Sequence, residues 1–97
     1  VNVDVPYAKM EKKSFYAYGG RKYVFAPDKT GFSIIYQNGS TQTRVAKVRK
    51  TNAKDHFLVT GTGFSGIGYF DEGGNFYIEY PDPLGDNMIV RKYELVQ

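Results

Sequence analysis

The chain has 97 residues, no cysteine, no tryptophan and a formal net charge of +3. That length supports one domain with a single modest core, and the missing cysteine excludes a disulfide scaffold, thiolate zinc sites and thiol catalysis. No apolar run approaches the roughly 20 residues a membrane-spanning helix needs, so no such span is expected.

Val1–Lys9 places Val1, Val3 and Val5 in alternation with polar residues and then reaches Pro6. Residues 1–13 are read as an N-terminal segment, either an edge strand or mobile. Within it, Ala8–Lys13 is helix-friendly but shorter than the roughly 12–15 residues an isolated helix needs, so at most one turn is expected. From Ser14 the pattern becomes strand. Ser14–Tyr18 meets Gly19-Gly20 and returns as Arg21–Ala26. Pro27–Gly31 is a turn, because proline presets φ and glycine accepts positive φ. Phe32–Gln37 puts Phe32, Ile34 and Tyr36 on one face. Asn38-Gly39 is a strong type I′ hairpin signal. Thr41–Thr51 returns with broken alternation: Ala46 and Val48 share a face with Arg44, while Val45 shares one with Lys47 and Arg49. A bulge or an exposed edge follows from that break.

His56–Tyr80 organises the rest of the pattern. It reads as a strand (His56–Thr62), a glycine-punctuated continuation (Gly63–Phe70), a turn (Asp71–Asn75) and a return strand (Phe76–Tyr80). Gly61, Gly63, Gly66 and Gly68 lie inside β-like sequence, where glycine marks a bulge, a sharp bend or a close backbone approach. Pro81–Asp86 is a long turn, since two prolines cannot sit in a ladder. Asn87–Gln97 is the last strand, with Ile89, Tyr93 and Leu95 sharing a face with Arg91.

Seven or eight short strands joined by short turns point to an all-β fold. The expected architecture is a single antiparallel meander over residues 1–97, closed or nearly closed as a small barrel, with a β-sandwich as the alternative. Closure also removes edges that a sheet rich in tyrosine and phenylalanine cannot safely expose. The Gly-Thr-Gly and Ser-Gly-x-Gly segments and the turn-acid hairpin of Val59–Tyr80 resemble the small lipocalin-like β-barrels of bacterial envelopes. That resemblance covers about a quarter of the chain, supports the barrel, and implies no functional residue.

Charge is distributed unevenly. Residues 1–54 carry eleven Lys or Arg against three Asp or Glu, a net of +8, while residues 55–97 carry two against seven, a net of −5. Such asymmetry bears on partner choice and encounter rate. Nine tyrosines supply rings with a polar end, suited to half-buried positions or to a binding face. The basic run Arg44, Lys47, Arg49, Lys50 and Lys54, beside Tyr16, Tyr18, Tyr23 and Tyr36, could offer charge plus stacking to single-stranded nucleic acid. An ordinary solvated strand explains the same charges.

No catalytic motif rises above background. Asp55-His56 could be half of an acid–base pair, but adjacent strand residues point to opposite faces. Gly61-x-Gly63-x-x-Gly66 matches a dinucleotide fingerprint only in spacing, since no helix follows it. Asp71–Asn75 lacks the alternating ligands of a calcium loop and reads as a solvated turn. Glu79 sits mid-strand, either outside or inside a barrel, where a carboxylate would need a partner.

The expectation is a non-catalytic binding module with no cofactor and no metal. A protein partner comes first, the chain acting as an interaction module or inhibitor through Tyr16, Tyr18, Tyr23, Tyr36, Arg44, Lys47 and Arg49. A small apolar ligand carried inside a lipocalin-like barrel comes second. Single-stranded nucleic acid bound along residues 44–54 comes third. The chain opens at Val1 with no targeting segment in view, so it reads as a processed or trimmed product. The compartment is open, with a secreted or cell-envelope setting favoured.

Overall fold

The computed structural model describes residues 13–53 and 55–96. The expectations for Val1, Val3 and Val5, and for the helical turn before Lys13, lie outside them. The elements are β1 (Ser14–Tyr18), β2 (Arg21–Pro27), β3 (Gly31–Asn38), β4 (Thr41–Lys50), β5 (Phe57–Gly61), β6 (Phe64–Phe70), β7 (Phe76–Pro81) and β8 (Met88–Val96). Each pairs antiparallel with the next. The last returns to the first through Phe15↔Val96, Tyr16↔Leu95 and Ala17↔Glu94, closing an eight-stranded barrel. The architecture is therefore the barrel and not the sandwich.

Alternation decides what faces the axis. Tyr16, Tyr23, Phe25, Phe32, Ile34, Ala46, Val48, Phe57, Val59, Phe76, Ile78, Tyr80 and Tyr93 form one buried cluster. The phenylalanines gather toward the end that carries the β2–β3 and β6–β7 turns. Phe25 stacks on Phe32 at 5.1 Å and meets Phe76 edge-on at 5.6 Å, and Phe57, Phe70 and Phe76 pack on one another. Tyr16 stacks on Phe25 at 3.9 Å. Toward the other end, Tyr18, Tyr23, Tyr36 and Tyr93 form a second ring cluster with centroids 4.9–6.3 Å apart. Rings at such separations stabilise beyond the area they bury.

The glycines of β6 explain how so many rings fit. A Cβ on Gly68 would stand 2.9 Å from Val59 Cγ2 and closer still to Phe76 Cζ. One on Gly66 would strike the Glu79 backbone and stand 2.9 Å from Tyr80 Cβ. The middle of the inward row of β6, between Phe64 and Phe70, is thus left without side chains so that Phe76 and Tyr80 of β7 can occupy it.

Three local expectations are corrected. Pro81, expected outside the ladder, is the last residue of β7 and pairs with Met88 at the strand end. The glycine-punctuated continuation after Thr62 is a separate strand. Gly61 pairs with Phe64 across a two-residue turn, Thr62-Gly63, with Gly63 at φ 81°. At the β3–β4 hairpin, Asn38 pairs with Thr41, so the loop is Gly39-Ser40. No non-glycine residue described has positive φ, which excludes a type I′ turn at Asn38-Gly39. The cause lies further down the strands. The core pairs Phe32↔Val48 and Ile34↔Ala46 fix the register, and the shift at Ile34/Ile35 leaves Val45 as the bulged residue. The break in alternation had marked that bulge.

The closing seam is short, with three paired positions, and it is reinforced from below. The Tyr16 hydroxyl on β1 donates to the Gly74 carbonyl at 2.8 Å, and the Leu95 N–H on β8 donates to Asn75 Oδ1 at 3.0 Å. The β6–β7 turn thus ties both strands of the seam.

Candidate functional site

The residues expected to share one binding surface are divided between the two faces of the sheet. Tyr16 and Tyr23 are buried, and Tyr18 and Tyr36 pack partly buried against the same cluster. Arg44, Lys47 and Arg49 project outward from β4, beside Leu58, Thr60 and Thr62, along an open groove of about 580 Å³. Lys47 is bound to Asp28, whose carboxyl its hydrogen bond holds below the usual range, helped by the Thr30 and Gly31 N–H groups. Arg44 and Arg49 are exposed and make no ion pair among the described residues. Lys54 lies outside those residues. Charge and stacking rings therefore do not form one track.

Beside this basic edge runs an apolar row. Arg49 pairs with Leu58, Leu58 with Ile67, Ile67 with Glu79, and Glu79 with Val90. These residues alternate with the core positions and face outward. Leu58 is 54%, Ile67 47%, Met88 55% and Val90 53% exposed. Glu79 interrupts the row, and its carboxylate accepts from the Tyr69 hydroxyl at 2.6 Å. That bond and partial burial push the Tyr69 hydroxyl up to about 12. Tyr69 stacks on Tyr77 at 5.3 Å, so the tyrosines on this outer face are ones the sequence reading did not single out. A shallow cavity of about 300 Å³ lies among His56, Ile67, Tyr69, Glu79 and Met88.

The second feature is the tyrosine end of the barrel. Arg91 projects inward from β8 between Ile89 and Tyr93, as the shared face in the sequence implied. Its Nε–H donates to the Tyr80 hydroxyl at 3.0 Å. Its guanidinium carbon lies 4.6 Å from the Phe64 ring centroid, 5.1 Å from Tyr80 and 5.5 Å from Tyr18. Burial opposes the charge, but the Tyr93 and Tyr80 hydroxyls outweigh it and hold the guanidinium more basic than usual. Burial keeps the Tyr93 hydroxyl above its ordinary range, against the opposing pull of Arg91. At the same rim, Arg21 lies 5.3 Å from the Tyr36 ring. Arg91 carries the site signal that sequence reasoning left unused: a cation on an otherwise apolar face.

The remaining candidates are separate. No hydrogen bond or ion pair joins Asp55 to His56, and His56 stands 6.5 Å from the Tyr69 ring. Asp71 is occupied by its own turn. It accepts from the Gly73 and Asn75 N–H groups, the Asn75 amide and the Tyr77 hydroxyl. Among the described residues no three His, Cys, Asp or Glu side chains converge on a metal position. No family model, no curated protein and no solved structure matches this chain.

Proposed function

We propose that the protein is a non-catalytic binding module that docks a protein partner, as an interaction domain or an inhibitor, on the outer face of β4–β8. The observation that carries this reading is the row of Leu58, Ile67, Val90 and the adjoining Met88, each about half exposed, bordered by Arg44 and Arg49. Fully burying one such side chain stabilises by roughly 1.5–3 kcal/mol, so covering four half-exposed ones supplies several kcal/mol toward a complex. A partner that fits is apolar at its centre and acidic along one edge, where the guanidiniums accelerate encounter.

The barrel interior gives no comparable support to a carrier of an apolar ligand. Phe25, Phe32, Ile34, Val48, Phe76 and Ile78 are all 0% exposed and occupy the axis. Nucleic-acid binding along β4 loses support because Arg44, Lys47 and Arg49 lie on the opposite face of the sheet from Tyr16, Tyr18, Tyr23 and Tyr36.

The test uses the chain purified from its own host as wild type and as Ile67→Asp. The expected result is a stoichiometric protein partner in native mass spectrometry of the wild type that Ile67→Asp no longer retains while its thermal midpoint is unchanged. A partner held equally by Ile67→Asp, or a wild type that purifies alone, refutes the outer-face reading.

A further inference from the structure

We propose that the tyrosine end of the barrel binds a small organic monocarboxylate, with the Arg91 guanidinium as its anion clamp and Phe64, Tyr80 and Ile89 as the seat for its apolar body. This site is distinct from the outer face discussed above and stands on its own geometry.

A guanidinium placed inside a barrel mouth loses part of its hydration, which disfavours the charge unless other groups replace the water. Three rings cover its faces at 4.6–5.5 Å, an arrangement that stabilises a cation without neutralising it. The partners of its N–H groups are tyrosine hydroxyls, and among the described residues no carboxylate lies within ion-pair distance. Arg carries five N–H donors in a planar fork. Nε is committed to Tyr80 and a further N–H to the Tyr93 hydroxyl, which leaves donors of the fork unused, and Arg91 lines an open cavity of about 540 Å³. That volume is in the range of small-molecule sites. A carboxylate matches the fork in two parallel bonds, which a lysine ammonium cannot reproduce.

The cavity lining sets the rest of the specificity. Phe64, Tyr80, Pro83 and Ile89 supply apolar surface, with the hydroxyls of Thr62 and Ser65 beside them, which favours a ligand with a ring-sized or aliphatic body. Asp82 also lines the cavity, its Oδ1 accepting from the Leu84 N–H. A second negative charge on the ligand would meet it. The Asp82 charge opposes any anion in the cavity and a dianion more strongly, so a monoanion is favoured over a dianion.

The experiment is nitrogen-detected or proton-detected NMR of the Arg91 Nε–H resonance in the full chain, titrated with benzoate, benzamide and phthalate. Expected are a saturable shift with benzoate, accompanied by shifts of the Phe64 and Tyr80 ring protons, none with neutral benzamide, and a weaker response to phthalate. Arg91→Lys keeps the charge and loses the fork, and is expected to weaken benzoate binding by about tenfold or more. Arg91→Met, with a far-UV spectrum like that of wild type, is expected to abolish it. No shift of Arg91 with benzoate, equal shifts with benzamide, or unchanged affinity in Arg91→Lys would mean that Arg91 is only an internal plug and would overturn the proposal. The wild-type comparison of benzoate with benzamide decides the question even if the Met variant does not fold.

Discussion

Tyr16→Phe tests how the barrel is closed. The substitution keeps the ring stacked on Phe25 and removes one oxygen, so it opens no hole in the core. It leaves the Gly74 carbonyl, which accepts the Tyr16 hydroxyl at 2.8 Å, without that donor. An orphaned buried acceptor costs about 1–3 kcal/mol. In a domain of this size each kcal/mol lowers the thermal midpoint by roughly 4–8 °C. The same hydroxyl also makes stability depend on alkaline pH. Burial, and then the nearby Asp71 charge, raise the Tyr16 pKa above its ordinary value. An unfolded tyrosine ionises near pH ~10, so above that pH the unfolded chain gives up a proton that the folded chain keeps. Stability then falls with rising pH by up to about 1.4 kcal/mol per pH unit. Phenylalanine has no such proton. By about 1.5 pH units above 10 the wild type has lost roughly 2 kcal/mol that Tyr16→Phe retains, and the deficit of the variant should shrink toward zero. Urea unfolding followed by far-UV circular dichroism, at neutral pH and near pH ~11.5, measures both halves. A deficit below about 0.5 kcal/mol at neutral pH, or one that stays constant to alkaline pH, refutes the reasoning.

Two further perturbations follow. Gly68→Ala places a methyl group against Val59 Cγ2 and Phe76, and overpacking of that kind costs about 1–3 kcal/mol, read as a lower urea midpoint with an unchanged slope; a neutral result would mean that the ring of Phe76 does not fill the inward row of β6. Burial raises the Asp71 pKa, but the hydrogen bonds from Asn75, Tyr77 and Gly73 outweigh it and leave the carboxyl below its ordinary range. Its contribution is therefore present at neutral pH and lost as pH falls through the folded-state value. Asp71→Asn should lower stability by roughly 1–2 kcal/mol at neutral pH. The gap should narrow below about pH 4 as the wild-type carboxylate protonates, so a gap independent of pH would contradict the assignment.

Most strand limits were legible because turn chemistry and alternation agree. Gly19-Gly20 at φ 61° and 77° is the hairpin its sequence announces. The Asn38-Gly39 dipeptide misled because a local signal competes with the register of a long strand, and the core pairs of Phe32 and Ile34, with the Val45 bulge between, set that register. Thr62-Gly63 escaped notice as a turn because glycine recurs on both sides of it, so nothing distinguished the turn glycine from the packing glycines. The site was harder to read than the fold. Alternation tells which residues share a face but not which face is inside, and β1 offers rings on both: Tyr16 and Tyr18 on one, Phe15 on the other. Phe15 is 53% exposed and Tyr16 is 1% exposed. Barrel closure, a long-range event, makes that choice. Once Tyr16, Tyr18, Tyr23 and Tyr36 turn inward, the outer surface falls to residues not read as a binding face, Leu58, Ile67 and Val90.

The uneven charge of the two halves of the sequence takes on a definite geometry in a closed meander. Each half becomes half of a cylinder, and the halves meet at β4–β5 and at the β8–β1 seam. The outward residues Lys22, Arg44, Lys47 and Arg49 lie on the first half; Glu79, Glu94 and the turn acids Glu72, Asp82 and Asp86 lie on the second. The apolar row starts at one of these boundaries, where Arg49 pairs with Leu58. A partner that covers the row with its acidic edge over β4 gains in encounter rate, and one turned the other way meets its own sign of charge. Orientation and affinity are then governed by different residues. Reversing Arg44 and Arg49 should slow association at low salt and leave dissociation nearly unchanged, whereas Ile67→Asp should act mainly on dissociation. Lys47 belongs in neither variant, because its charge is engaged with Asp28 and its removal would disturb the β2–β3 turn. If both variants altered the same rate constant, the basic edge and the apolar row would have to be parts of one contact.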